Sequence, residues 1–218
     1  MPVRTLVSIW PLFAGLSLIG LAVGVQGSLL GVRAELEGFD DYLIGLLMSC
    51  YFAGFLAGSL LTPKMIQRVG HIRIFAALSA VASVTILVHS IYVNPWAWAL
   101  MRLLTGFAFS TIYVVSESWL NQASNNTNRG QVLSIYTAIL LAGICAGQFM
   151  LNVANPREFT LFILISVMVS VAAVPILLSV ITTPAIEETE RVTMRHLWYR
   201  TPMGVTGIVL SQWVSSIL

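Results

Sequence analysis

The chain has 218 residues, 57% hydrophobic and only 9% charged, with a net charge of +2 and a mean hydropathy of +0.88. Soluble domains carry roughly 25% charged residues, so this composition excludes an ordinary water-soluble enzyme, and the small net charge gives no basis for a nucleic-acid partner. A bilayer core of about 30 Å needs about 20 apolar residues per helix. The apolar runs here lack the alternation of barrel strands, which leaves an all-α integral membrane protein lying in a lipid bilayer.

The first apolar run covers 8–30. It follows Arg4 and is longer than the roughly 7–15 residues of a secretory h-region, so it reads as a retained helix. After the acidic cluster Glu35, Glu37, Asp40 and Asp41, the second run covers 42–62, and a polar breaker at 64–71 precedes the third at 72–92. The Asn94-Pro95 turn opens the fourth run at 96–120, and the polar segment 121–130 separates it from the fifth at 131–152. Asn155 to Glu158 precede the sixth run, 159–182, which Pro184 ends. The spacing predicts a six-helix bundle over 1–183, a polar linker over 184–201, and the truncated start of a seventh helix over 202–218.

Basic residues orient this ladder. With the N-terminus inside, Arg4, Lys64, Arg68, Arg73, Arg129, Arg191, Arg195 and Arg200 face the cytoplasm, whereas Arg33 and Arg157 face outward. That bias follows the positive-inside rule. Trp10, Trp96, Trp98 and Trp119 near run ends are expected as interfacial anchors. Cys50 and Cys145 read as small buried apolar residues, without the spacing of a metal site. Asn125-Asn126-Thr127 matches a glycosylation acceptor by chance, since this topology puts it in the cytoplasm.

Glycines recur four apart, at Gly20 and Gly24, Gly27 and Gly31, Gly54 and Gly58, and Gly143 and Gly147. Such spacing lets helix backbones approach closely. Gly54, Gly58, Gly106, Gly143 and Gly147 are the helix-packing candidates. The two blocks of three runs also have the outline of a repeat.

Arg102 is the most informative side chain. It lies about 9 Å into the fourth run at 1.5 Å per residue, where a cation either meets a partner or cavity or snorkels to the interface. Gln26 and Gln148 share its outer third of the membrane. With Tyr113 these three are the substrate-cavity candidates, against the alternative of helix-to-helix hydrogen bonding. Tyr51, Phe109, Tyr113 and Tyr136 supply aromatic walls or simple packing. His89 sits near the outer end of the third run, and Glu117 is the one acid inside a run.

Two motifs carry a resemblance. Arg102-Leu-Leu-Thr-Gly106 resembles the RxxxG signature of the fourth helix in the major facilitator superfamily. The segment Pro63-Lys-Met-Ile-Gln67-Arg68-Val-Gly70-His71-Ile-Arg73 is similar to that superfamily's loop between helices two and three. Arg68, Gly70 and Arg73 match; His71 replaces a basic residue, Pro63 the first glycine and Gln67 the usual aspartate. With the ESWLN stretch at 117–121, the chain looks like a bacterial branch of that superfamily.

The resemblance implies the N-terminal half of a transporter in the bacterial inner membrane, built from two three-helix repeats and working by alternating access on a small solute. Its partner would be the C-terminal half of the same transporter. It also implies a cytoplasmic gate formed by Gln67, Arg68, Gly70, Arg73 and Glu117, with the loop arginine touching the acid that ends the fourth helix. It places His89 on a lipid-facing helix. The rival reading is a non-transporting remnant, or a subunit needing a partner half. No HExxH, GxSxG or Walker motif is present, so no enzyme, cofactor or metal is expected. Substrate and coupling ion stay unassigned.

Overall fold

Each helix starts and stops where local chemistry dictates. In the computed structural model, which describes residues 3–178 and their side chains from residue 9 onward, α1 runs Val3–Leu36 and Gly38, at φ 77°, turns the chain out of it. The Asp40 carboxylate accepts the Leu43 N–H at 2.8 Å and so caps α2, Asp41–Val69. Helix α3 spans His71–Ile91. Asn94 caps α4, Pro95–Ala123, by accepting the N–H groups of Trp96 and Ala97, and Pro95 at the first position needs no donor there. Asn125 closes a turn by accepting the N–H groups of Thr127 and Asn128, and α5 follows at Arg129–Met150. The sixth run is α6, Thr160–Ala172, continued by the short α7, Val174–Leu178. Pro175 lacks the N–H that would bond to the Val171 carbonyl, which accounts for the break at Ala173.

Residues 64–69 of the segment expected as a loop at 64–71 instead continue α2, and His71 already opens α3. Pro63 lies inside the helix and forfeits one backbone bond. Buried Ile66 holds the following turn against the core, and the helix stops only at Gly70, whose φ of 86° favours glycine. The expected linker at 184–201 and seventh run at 202–218 lie outside the described residues.

Among the described residues six helices are long and apolar enough to cross a membrane. Lipid tails are as apolar as leucine, so such helices associate by close packing and hydrogen bonds. Helix α2 lies along α4 and α1 along α5. In the first seam a Cβ on Gly54 would collide with the Leu103 carbonyl, one on Gly106 with the Tyr51 carbonyl, and one on Gly58 would sit 2.6 Å from the Phe107 oxygen. In the second, a Cβ on Gly20 would come within 2.9 Å of the Leu140 oxygen, and those on Gly24 and Gly147 would strike the Ile144 and Leu21 carbonyls. The numbers rise together on both helices of each seam, so both pairs are parallel. Gly27 faces open space and Gly31 meets only the end of Met48, so that pair forms no seam.

Helix α3 packs behind α4, and α6 behind α1; α3 and α6 also touch each other. Their contact is polar. Ser83 and Ser166 hydroxyls lie 2.6 Å apart, and Ser170 donates to Ser83 at 2.9 Å. Exchanging the first three helices for the second three maps each seam onto the other. The sequence carries matching marks: Ala53-Gly54 and Ala57-Gly58 recur as Ala142-Gly143 and Ala146-Gly147, and Ser79 and Ser83 recur as Ser166 and Ser170. Gly20-Leu-Ala22 likewise recurs as Gly106-Phe-Ala108. Because α1 and α4 run in opposite directions, the two three-helix repeats are inverted, as expected.

Two expectations about single residues need correction. Trp10 and Trp96 are exposed near helix ends, but Trp98 and Trp119 are buried. Trp98 donates its indole N–H to the Tyr92 carbonyl at 3.0 Å and packs edge-on against Phe39 and His89, so its polar atom is satisfied indoors. Cys50 is half-buried and Cys145 is exposed, so neither is the fully buried apolar residue expected.

Candidate functional site

Helix α4 organises the site. At 100° per residue, Arg102, Gly106, Tyr113 and Glu117 fall within about 60° of one another around its axis. Gly106 lets α2 approach that face, and Met48, Tyr51 and Phe55 of α2 are thereby brought beside it. The Arg102 guanidinium lies over the Tyr51 ring, with Cζ 4.4 Å from the centroid, and Nη2 reaches Met48 Sδ at 3.2 Å. Arg102 is 5% exposed, and its Nε is buried without a hydrogen-bond partner. Among the described residues the recorded ion pair joins Arg33 and Glu37; Arg102 meets no carboxylate.

From Arg102 an aromatic stripe leads along the α2–α4 seam. Tyr51 and Phe55 have ring centroids 6.1 Å apart, and Phe55 and Tyr113 are 6.2 Å apart. Tyr51, Phe55 and Tyr113 are each partly exposed, so the stripe is only partly covered. Further along, Tyr136 of α5 donates its hydroxyl to Glu117 Oε1 at 3.1 Å. Fifteen helical residues separate Arg102 from Glu117, or about 22 Å. The stripe thus has a cation at one end and a carboxylate at the other.

The expected convergence of Gln26, Arg102 and Gln148 is not made by hydrogen bonds. Gln148 is exposed and accepts the Ser28 hydroxyl at 2.5 Å, on the α1–α5 seam. Gln26 is buried, with its Nε2 unpartnered. His89 is not lipid-facing: it is 1% exposed, packed on Trp98, with Nδ1 2.7 Å from the Thr85 carbonyl. That contact requires Nδ1 to carry the hydrogen and leaves Nε2 as a buried, unpartnered acceptor. Beside it, Thr85 and Thr105 hydroxyls lie 2.9 Å apart and join α3 to α4.

The gate candidates gather at the end of the bundle marked by Gly70. Gln67, Arg68 and Arg73 are exposed, and Gly70 makes the turn between them. Arg68 forms no ion pair with Glu117 among the described residues; that carboxylate is engaged by Tyr136. His71 makes the link between the α2–α3 turn and the end of α4. It is 1% exposed, its Nε2 lies 3.1 Å from Ser118 Oγ, and its ring sits 6.2 Å from that of Trp119. The sequence marked His71 only as a departure from a basic residue. Its adjacency to the Ser118-Trp119 pair was not legible without the turn geometry.

At the opposite end, Arg33 holds the segment after α5. Its Nε pairs with Glu37 at 2.6 Å, while Nη1 donates to the carbonyls of Pro156, at 3.2 Å, and Arg157. Along α5, two open concavities of about 690 and 480 Å³ share Ser134; Gln131 lines the first and Thr137 and Leu141 the second.

The family model for the Major Facilitator Superfamily matches residues 12–217. An uncharacterised MFS-type transporter of Enterobacter sp. (strain 638) is 29% identical over 206 residues, which cover 92% of this chain and 53% of that protein. The uncharacterised MFS-type transporter YcaD of Escherichia fergusonii is 27% identical over 202 residues, with the same 92% and 53% coverage. A further one, from Yersinia enterocolitica, is 29% identical over 169 residues, covering 76% of this chain and 44% of the relative. The chain therefore spans about half the length of the curated relatives it matches. It belongs to the Major Facilitator Superfamily and is an integral membrane protein.

Proposed function

We propose that this major facilitator chain supplies the N-terminal bundle of a secondary transporter that carries a small solute across a bacterial inner membrane by alternating access. The observation that carries the reading is Arg102, a cation at membrane depth with no carboxylate beside it among the described residues, set against a partly exposed aromatic surface on helices of both repeats. Cations within membrane spans mark pathways or paired sites. The bacterial relatives named as transporters support the same reading. The open concavities along α5 suit a second bundle closing over that face, which would complete a two-sided cavity.

In this reading the N-terminus and the Gly70 turn face the cytoplasm. Gln67, Arg68, Gly70, Arg73 and Glu117 belong to a gate whose present link is His71 to Ser118. Transport by this chain requires the complementary half, because a single bundle encloses no site. The test is reconstitution into liposomes of this chain alone and together with a second bundle, followed by uptake of radiolabelled solutes down an imposed gradient. Flux with both bundles and none with this chain alone is the expected result. Equal flux in empty liposomes would sink the proposal. The intact mass of the protein from its native membrane decides whether both bundles share one chain.

A further inference from the structure

We infer that Arg102 is the anchor for the carboxylate of an organic anion, whose apolar or aromatic body lies along Phe55 and Tyr113; this rests on, and narrows, the transport reading above. The argument begins with charge. Moving a guanidinium into the membrane is costly unless an anion or cavity meets it, and buried cations are ordinarily paired. Arg102 has a ring face and a thioether as neighbours. Both are soft, neutral groups, and neither supplies a counter-charge.

Geometry then selects the ligand class. With Nη2 turned to Met48 and Nε unpaired, the guanidinium keeps N–H donors for an anion, and a carboxylate is the planar acceptor that such charge-assisted bonds match. Arg102 Nε is an orphan donor, buried and pointing to no protein acceptor. An unmade bond of this kind is rare in a finished interior. The surface continuing from the guanidinium is aromatic and partly open at Tyr51, Phe55 and Tyr113. A body that stacks on rings fits there.

The counter-charge has two sources, a solute carboxylate or an acidic side chain elsewhere in the protein, and the experiment separates them. Benzoate, its neutral isostere benzamide and the cation benzylamine are titrated against the reconstituted protein, with binding read by quenching of the native tryptophans. The wild type is compared with Arg102→Lys and Arg102→Gln, and the thermal midpoint of each variant is recorded. The expected result is saturable benzoate binding, at least tenfold tighter than benzamide, with no benzylamine response. Arg102→Lys should weaken benzoate about tenfold, since the charge survives without the fork. Arg102→Gln should abolish the preference for benzoate while benzamide is unaffected.

Equal binding of benzoate and benzamide, no binding of either, or a preference that survives in Arg102→Gln overturns the inference. If Arg102→Gln unfolds the protein, Tyr113→Ala is the substitute. It removes part of the ring surface, should weaken benzoate at least fivefold, and overturns the inference if it leaves benzoate unchanged. Liposome flux distinguishes the two readings. Flux of neutral solutes that ignores Arg102 keeps transport and removes the anion site; benzoate binding without flux does the reverse.

Discussion

The pairing of Tyr136 with Glu117 and of His71 with Ser118 assigns partners to side chains that the sequence shows only as isolated polar residues. A hydrogen bond to a carboxylate contributes about 1.5–3 kcal/mol at most, and less where Glu117 is exposed. A double-mutant cycle over Tyr136→Phe and Glu117→Gln should therefore show a coupling of about 0.5–1.5 kcal/mol in detergent melts. A cycle over Arg68→Gln and Glu117→Gln should show none while this conformation prevails. Coupling in the second cycle and none in the first would restore the expected arginine latch. For His71, Ser118→Ala and His71→Ala should each destabilise, and the double variant should cost less than their sum. Arg102 was legible as unusual from sequence, because a cation within an apolar run is conspicuous at any resolution of reading. Its neighbours Met48 and Tyr51 were not, since they depend on how α2 seats on α4.

Helix existence followed from hydropathy, but which glycines matter followed from packing. Gly24 and Gly27 stand three residues apart on α1, yet one abuts the Ile144 carbonyl and the other faces open space. Gly24→Ala should cost about 1–3 kcal/mol by overpacking, whereas Gly27→Ala, with open space for its methyl group, should be neutral or stabilise by up to about 1 kcal/mol. Thermal melts of the two variants in one detergent check the contrast; equal effects would show that the α1–α5 seam is not backbone-close. The extent of α2 has a similar cause. Reading Pro63 and the polar residues after it as a loop ignored that burial of a single residue, Ile66, can hold a helix beyond its apolar length. Trp98 and Trp119 were misplaced at the interface for the same reason: proximity to a helix end fixes depth, and only the neighbouring helix fixes burial.

Across the whole bundle, the inverted repeat relates the two seams, so substitutions in one should be mirrored in the other. Gly58→Val and Gly147→Val, whose added Cβ atoms would meet a facing carbonyl at 2.6 Å and 2.4 Å, should destabilise to a similar degree, each by about 1–3 kcal/mol; a wide disparity would argue that the seams are not equivalent. Two clasps sit at opposite ends of the bundle, His71 on the end of α4 and Arg33 on the carbonyls of Pro156 and Arg157. Orientation in the membrane is checked with single cysteines at Glu35→Cys and Arg68→Cys in a background where Cys50 and Cys145 are serine. An impermeant maleimide added outside intact cells should label the first and spare the second; the reverse pattern would invert the assigned topology.

By itself the sequence determined that the chain is a ladder of membrane helices, which helices repeat, and which family the chain resembles. Those properties reside in the length of apolar runs, the side of each charge and local motifs, all of them one-dimensional. It even held the paired Ala-Gly and Ser marks of the two repeats, though they gain meaning only beside the helices they touch. Tertiary structure alone decided that Arg102 lies on Tyr51 with no counter-ion among the described residues, that Glu117 belongs to Tyr136, and that His71 closes the turn. The reason is rotational. Hydropathy gives a helix its depth in the membrane, whereas contacts depend on its rotation and its axial offset against a neighbour, and those are set by the close approach of glycine backbones from residues far apart in the chain.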